Sequence, residues 1–143
     1  MRETARVLGL DLTSFSARPT DVEATFSTIA NANFGGLAVT TDASLESLSA
    51  RIVEFSAQRH LPAIYPFSTT VQRGGLMSYS ADFFAIWRRM ASYVDRILKG
   101  ARPADLPIEQ ATEVVLKLNL KTAKALGIEI PPQLIARADE VIE

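Results

Sequence analysis

Small polar side chains that could hold a ligand gather in three stretches of the sequence. Hydroxyls, backbone amides and a carboxylate beside aromatic rings can bind a small polar molecule that has an apolar part, such as an amino acid. The same side chains also occur as ordinary helix caps and turn residues, and the sequence leaves both interpretations open. The candidate ligand-binding residues are Thr40, Thr41, Asp42, Ser44, Tyr65, Phe67, Ser68, Ser78 and Tyr79.

Residues that could carry out catalysis are sparse by comparison. His60 is the single histidine, and it follows an expected helix, where a cation interacts favourably with the helix dipole. The chain has no cysteine, and its carboxylates lack the paired spacing of acid–base catalysts. Gly74 and Gly75 belong to neither of the glycine-rich phosphate-binding motifs. The sequence therefore argues against an enzyme, a metal site and a bound cofactor.

Length and charge restrict the class of protein further. The chain has 143 residues, enough for one domain with a sizeable core, and 48% of them are hydrophobic. Its net charge of −1 favours neither nucleic acid nor an anionic membrane surface as a partner. No apolar run reaches the ~18 residues of a membrane span, and we expect no signal peptide in the chain as given.

The apolar pattern alternates between the periods of strands and helices. Strands separated by helices of ten or more residues predict parallel βαβ units, and hence an α/β three-layer sandwich with a mostly parallel sheet. Residues 66–73 form a polar, turn-like stretch after a buried strand, where such sheets place their binding loops. We expect strands at 10–15, 37–40, 61–65, 76–79 and 112–118, and helices at 3–10, 21–30, 44–59, 82–100, 120–126 and 133–142. Ser44 and Asn119 are the expected caps of the helices at 44–59 and 120–126, and Gly127 is the expected end of the latter.

The helix expected at residues 82–100 has the longest periodic pattern in the chain. Its apolar residues recur three or four positions apart, and Gly100 supplies a C-terminal signal. Helical spacing also makes its aromatic residues typical of packing rather than of a stacking platform for a ligand. The apolar positions are Phe83, Ile86, Trp87, Met90, Val94, Ile97 and Leu98.

Four segments resemble a known family. They are RHLPAIY at 59–65, GGLMSY at 74–79, ILKGARPADLPIEQ at 97–110 and NLKTAKALGIEIPP at 119–132. With them the whole chain resembles the C-terminal half of the ABC-transporter substrate-binding proteins of the type I periplasmic-binding fold, in the branch that includes tryptophan- and tyrosine-binding members. The resemblance implies a solute-binding protein with two α/β lobes that close around a small ligand. It further implies delivery to an ABC permease, and a periplasmic or extracellular, membrane-associated location for the full-length protein.

The resemblance also implies how the chain is divided. Residues of about 1–67 and 112–143 would belong to the second lobe, and first-lobe crossover elements would occupy about 76–105. The strands flanking residues 66–73 would then lie in different lobes, and a C-terminal fragment would hold half of the ligand cleft. We expect the apolar face of the 82–100 helix either to fold back on its own domain or to form a homodimer. The alternative is a complete small α/β enzyme or a receiver-like signalling domain.

Overall fold

Five strands form one sheet, and the computed structural model describes residues 2–110 and 113–143. A 3-10 turn, Pro103–Asp105, lies in the connection between the sixth helix and the fourth strand. The helices are α1 (Arg2–Val7), α2 (Val22–Ala30), α3 (Ala43–Ser47), α4 (Ser49–Gln58), α5 (Ser68–Gln72), α6 (Phe83–Leu98), α7 (Leu120–Leu126) and α8 (Pro132–Ile135). The strands are β1 (Leu37–Ala38), β2 (Ala63–Tyr65), β3 (Met77–Ala81), β4 (Val114–Asn119) and β5 (Glu140–Ile142).

The sheet is mixed and mostly parallel, with the strand order β1-β2-β3-β4-β5. β1, β2 and β3 run parallel because a helical connection carries the chain back between them, and the same is true of β4 and β5. Only β3 and β4 are antiparallel. Ala81 pairs with Val114, so the long connection that contains α6 leaves and re-enters the sheet at one edge. The expected α/β class with a mostly parallel sheet is confirmed.

Helices α2 and α4 pack against the first two strands and build the apolar core. The rings of Phe26 in α2 and Phe55 in α4 stack with their centroids 4.4 Å apart, which joins the two helices. A smaller buried cluster at one end contains Ile29, Phe55 and Leu61. The main cluster of buried residues comprises Val22, Leu48, Ile52, Ala63 and Tyr65. This packing fixes the strands that lead to the candidate binding loops.

Capping residues define several helix ends. Asn119 caps α7 as expected, since its Oδ1 accepts a hydrogen bond from the amide of Thr122 at 3.0 Å, and Gly127 ends the helix with φ +69°. The expected cap at Ser44 is wrong, because Asp42 caps α3. The helix expected at 44–59 is also divided at Leu48, whose φ of −95° and ψ of 0° separate α3 from α4.

Residues 10–15 do not form the expected strand. None of them pairs with a strand in the described part of the chain, and β1 is paired only by β2. The alternation of apolar and polar residues suits a strand, but an extended segment needs hydrogen bonds from a neighbouring strand to be stable. The segment is anchored at its end, where the ring of Phe15 packs edge-on against Phe34 with centroids 5.7 Å apart.

Two other segments differ from expectation because of contacts made elsewhere. Residues 66–73 contain the short helix α5 rather than an open turn. The helix expected at 133–142 ends at Ile135 as α8, and β5 follows it. Asp139 accounts for this change: its carboxylate accepts a hydrogen bond from the amide of Leu116 at 2.8 Å, and its own amide donates to the carbonyl of Leu116 at 2.9 Å. These bonds hold the C-terminal segment beside β4.

The expected separation of the strands around residues 66–73 into different lobes is wrong. β2 and β3 are neighbours in the same sheet, where Ile64 pairs with Met77 and Tyr65 pairs with Ser78. The wider division of the chain into lobes, including the assignment of α6 to a first lobe, stays a prediction. Of the strand expected at 112–118, Thr112 lies outside the described residues, and Val114–Asn119 is β4.

Candidate functional site

Three loops meet at one edge of the sheet, because β1, β2 and β3 are parallel and their carboxyl ends share that edge. The loops begin after Ala38, Tyr65 and Ala81. β4 runs in the opposite direction, so it begins at the same edge, where the amide of Asp82 donates to the carbonyl of Glu113 at 2.9 Å. Ligands of open α/β sheets bind at this edge.

The loop after β1 brings hydroxyls and one carboxylate to the edge. Thr40, Thr41, Asp42 and Ser44 are all exposed. The amide of Ser44 donates to Oδ1 of Asp42 at 2.7 Å. Hydrogen bonds from Ser44, first from its amide and then from its side chain, lower the pKa of Asp42. The Asp42 carboxylate is therefore ionised at neutral pH and accessible to a cationic group of a ligand.

The loop after β2 contributes an aromatic surface. Phe67 and Ser68 are half-buried where α5 begins. The ring of Phe67 packs against that of Phe83, the first residue of α6, with centroids 5.4 Å apart and planes at 40°. The sequence did not suggest Phe83 as a ligand-binding residue, although its place two residues after β3 was a usable signal. The two rings give this edge an apolar surface on which the side chain of a ligand can pack.

Tyr65 and Ser78 are buried and do not face the edge, which argues against the contact with a ligand that stays a prediction for both. The Tyr65 ring is 2% exposed, its hydroxyl donates to Ser56 Oγ at 3.4 Å, and burial raises its pKa. Ser78 is 0% exposed, and its hydroxyl has no hydrogen-bond partner in the part of the chain that the structure describes. Because the two residues are paired across β2 and β3, their side chains lie on the same, buried side of the sheet.

Tyr79 differs from its neighbour Ser78 because successive residues of a strand point to opposite sides of the sheet. It is exposed and pairs with Leu116, two positions before β3 ends at Ala81. The Tyr79 side chain is therefore exposed near the candidate edge, and its contact with a ligand stays a prediction.

Buried hydrogen bonds hold α5, and with it Phe67 and Ser68, in place. Asn119 Nδ2 donates to the carbonyl of Val71 at 3.1 Å, and Thr122 Oγ1 donates to the carbonyl of Gly74 at 2.9 Å. Because Asn119 also caps α7, one side chain ties the beginning of that helix to α5. The sequence identified Asn119 as a cap but showed nothing of this second contact.

The edge by itself does not enclose a ligand. The cavity between its loops has a volume of about 10 Å³, room for roughly one water molecule. A much larger groove, about 1060 Å³, lies between α6 and residues 107–110, away from the loops after β1 and β2. Small-molecule pockets usually measure about 300–1,000 Å³ and surround most of the ligand. The candidate edge is thus one wall of a binding site rather than a closed pocket.

Residues 2–110 and 113–143 contain no group of three or more His, Cys, Asp or Glu side chains that could hold a metal ion. His60 is exposed just beyond α4, with φ +48°. Its place in the chain is therefore at a helix end and not among the loops of the candidate edge.

A comparison with protein families decides which kind of protein has this edge. The family model for ABC transporter substrate binding proteins matches residues 1–142. The chain belongs to this family. The resemblance seen in the four sequence segments is thereby confirmed. The family is one of binding proteins for transport, which favours that reading over the alternative of a small enzyme or a receiver-like domain.

Solved structures of similar proteins agree with the family. A conserved domain protein from Vibrio cholerae O1 biovar eltor has a TM-score of 0.88 and 27% sequence identity to this chain. An ABC domain from Streptococcus pneumoniae, in complex with L-Trp, has a TM-score of 0.89 and 25% identity. Each alignment covers 98% of this chain but 47% and 48% of the other chains, respectively. The chain thus spans about half the length of these solved relatives.

A more distant structure shares the fold alone. It is the ligand-free, open form of a substrate binding protein with adhesive properties from Clostridium difficile, with a TM-score of 0.65 and 19% identity over 99% of this chain and 47% of the other. No curated protein matches the chain. In the described residues, every helix is too short or too polar to cross a membrane.

Proposed function

We propose that this chain supplies one wall of the solute-binding site of an ABC importer, and that the solute is a small molecule of the amino-acid class. The observation that carries the proposal is that an exposed Asp42 carboxylate and the Phe67–Phe83 ring pair lie on loops at the same carboxyl edge of the sheet. The L-Trp in the structure of the Streptococcus pneumoniae relative supports the choice of ligand class.

Each part of such a ligand has a complementary group at the edge. The Asp42 carboxylate can pair with an ammonium group, and the hydroxyls of Thr40, Thr41 and Ser44 can donate hydrogen bonds to a carboxylate. Phe67 and Phe83 can pack against an apolar or aromatic side chain. Ser68 adds a hydroxyl beside these rings. The edge thus recognises charge and apolar surface at the same time.

Binding by this chain alone should be weak, because a ligand at an open edge stays largely in water. We infer that a second lobe closes over the ligand in the full-length protein, and that the ligand stabilises the closed state through its higher affinity for that state. The ligand then passes unchanged to an ABC permease at the periplasmic or extracellular side of the membrane. A homodimer through α6 is a separate proposal, supported by the exposed apolar surface of that helix.

The proposal can be tested by NMR titration of the chain with L-Trp, L-Tyr, L-Leu and L-Glu. We expect millimolar affinity for the aromatic amino acids, with shift changes at Asp42 and Phe67. Asp42→Asn should abolish these changes, because asparagine keeps the cap of α3 and removes the charge. Asp21→Asn is a matched control, since Asp21 also accepts an amide hydrogen bond, from Arg18, but lies before α2.

Two results would contradict solute binding at this edge. One is a set of shift changes that cluster away from the loops after β1 and β2. The other is binding that Asp42→Asn and Asp21→Asn weaken to the same extent.

A further inference from the structure

Helix α5 carries the Phe67 ring at its beginning but cannot fix its own position. It has five residues, Ser68–Gln72, whereas an isolated helix needs roughly 12–15 residues to be even marginally stable in water. Phe67 occupies the N-cap position, and its side chain makes no capping hydrogen bond. The place of the Phe67 ring therefore depends on contacts that other elements make with α5.

Two side chains bind the other end of α5. The last carbonyls of a helix have no partner within the helix and must find one elsewhere. Asn119 Nδ2 supplies one for Val71, and Thr122 Oγ1 supplies one for Gly74, just after the helix. Asn119 is 5% exposed and Val71 is 0% exposed, so water does not compete for the bond between them. The end of α5 is thus fixed by side chains of β4 and α7.

The carboxamide of Asn119 makes its two bonds in one orientation only. Its oxygen accepts from the amide of Thr122 while its NH2 group donates to the carbonyl of Val71. Turned by 180°, it would set a donor against a donor and an acceptor against an acceptor. The beginning of α7 and the end of α5 are therefore coupled through one group.

The remaining polar side-chain contact of α5 in the described chain is longer and more exposed. Arg73 donates to Ser49 Oγ at 3.4 Å and lies 3.9 Å from Glu46, and its side chain is 58% exposed. Ion pairs in such exposed positions contribute little to stability. The bonds from Asn119 and Thr122 are accordingly the main polar contacts that place α5.

Asn119 lies at the edge of the sheet opposite the candidate site. β4 runs against β3, so Leu118 pairs with Met77 at the beginning of β3, and the amide of Asn119 donates to the carbonyl of Leu76 at 2.9 Å. α5 spans the distance between the two edges, since it begins after β2 and leads back to β3. Asn119 can therefore act on the candidate site through α5 and not by touching a ligand.

We propose that Asn119 and Thr122 are positioning residues for solute recognition. By fixing α5 they hold the Phe67 ring against Phe83, and the ring pair then determines the affinity for the apolar side chain of the solute. Val71 is four residues from Phe67, about 6 Å along a helix, so a displaced α5 carries the ring with it. The inference rests on the proposed function, because it specifies how that same edge selects its solute.

The charged part of the edge does not depend on these bonds. Asp42 is held by its own local hydrogen bond, from the amide of Ser44 at 2.7 Å. Loss of the bonds to α5 should therefore move the rings and leave the carboxylate in place. Binding of the apolar part and of the charged part of a solute can thus be separated by experiment.

The first test uses the ligand-free chain and compares Thr122→Val, which removes the hydroxyl, with Thr122→Ser, which keeps it. Thr122→Val should speed amide hydrogen exchange at Gly74 and Gly75 by about 5-fold, equivalent to roughly 1 kcal/mol for one hydrogen bond. It should also weaken the nuclear Overhauser effects between the rings of Phe67 and Phe83. Thr122→Ser should resemble the parent.

Two further variants complete this test. Asn119→Asp keeps the oxygen that caps α7 and replaces the donor to Val71 with an acceptor, so its effect should exceed 5-fold. Thr28→Val is the matched control, because Thr28 Oγ1 also donates to a carbonyl at 2.9 Å, that of Ala24, but within α2. It should change neither the exchange at Gly74 nor the ring contacts.

The second test is NMR titration of the same variants with L-Trp. Thr122→Val should raise the dissociation constant by about 5-fold. At equal saturation it should reduce the ligand-induced shift changes at Phe67 much more than those at Asp42. Thr122→Ser should restore both the affinity and the shift changes, and Thr28→Val should leave them unchanged.

Three results would overturn the inference. They are ring contacts that survive both Thr122→Val and Asn119→Asp, an equal effect of Thr28→Val, and equal losses of shift change at Phe67 and Asp42, which would indicate a general loss of stability. A parent chain that binds no L-Trp would instead overturn the proposed function. The ring contacts of the ligand-free variants would then still decide whether Asn119 and Thr122 position Phe67.

Discussion

The sheet with its packed helices and the α6 region use similar apolar residues with opposite results. In the sheet region, Val22, Leu48 and Tyr65 come from three separate segments and bury one another. In α6 the apolar residues follow one another along a single helix and meet no facing element in the described chain. The comparison shows that an apolar face becomes a core only where a second element covers it.

The largest expected difference between the two regions is in the cost of removing an apolar side chain. Leu118 in β4 is 0% exposed, so Leu118→Ala should lower the free energy of unfolding by about 2–5 kcal/mol. Trp87→Ala in α6 removes a larger side chain but should change the stability of the monomer by less than about 0.5 kcal/mol. Urea denaturation at low protein concentration measures both. Equal losses would mean that α6 belongs to the core.

Close backbone packing within the sheet region should have a smaller effect on stability. A Cβ atom on Gly75 would lie 2.9 Å from the Thr70 carbonyl oxygen and from the Tyr65 ring. Gly75→Ala should therefore destabilise the fold by about 1–3 kcal/mol, the usual cost of overpacking. Gly35→Ala is the control, because nothing lies within 4 Å of the added atom. A neutral effect at Gly75 would show that α5 moves freely against β2.

The smallest effect is expected at the end of α4, where backbone conformation rather than side-chain burial matters. His60 has φ +48°, a conformation that costs a residue with a Cβ atom about 1 kcal/mol. His60→Gly should raise the free energy of unfolding by about 0.5 kcal/mol, since the greater freedom of glycine in the unfolded chain offsets part of the gain. His60→Ala should give no gain. Thermal and urea unfolding of the three proteins measure this difference.

The sequence predicted those features that depend on neighbouring residues. They are the spacing of the apolar residues in α6, the cap of α7 at Asn119 and the end of α7 at Gly127. Each of them rests on contacts within one or two helical turns. The α/β class also followed from the sequence, because strands joined by helices restrict the topology. At the candidate edge, the exposed polar loop at Asp42 was identified from the same alternation of elements.

Features that depend on distant partners were not predicted. Residues 10–15 have the pattern of a strand but no paired neighbour in the described chain, whereas residues 140–142 became a strand beside β4. Tyr65 and Ser78 looked suitable for a ligand until their pairing turned both to the buried side. Neither the spacing of apolar residues nor the type of a residue specifies which distant segment that residue will contact.

The sequence by itself determined the family, the α/β class, the amphipathic pattern of α6 and the local capping chemistry, because these depend on residue order over short distances. Tertiary structure alone decided which hydroxyls and aromatic rings reach the carboxyl edge, since strand pairing assigns each side chain to one side of the sheet. It also decided that the described residues leave most of α6 exposed. Burial depends on a facing surface, and no single segment of sequence contains both surfaces.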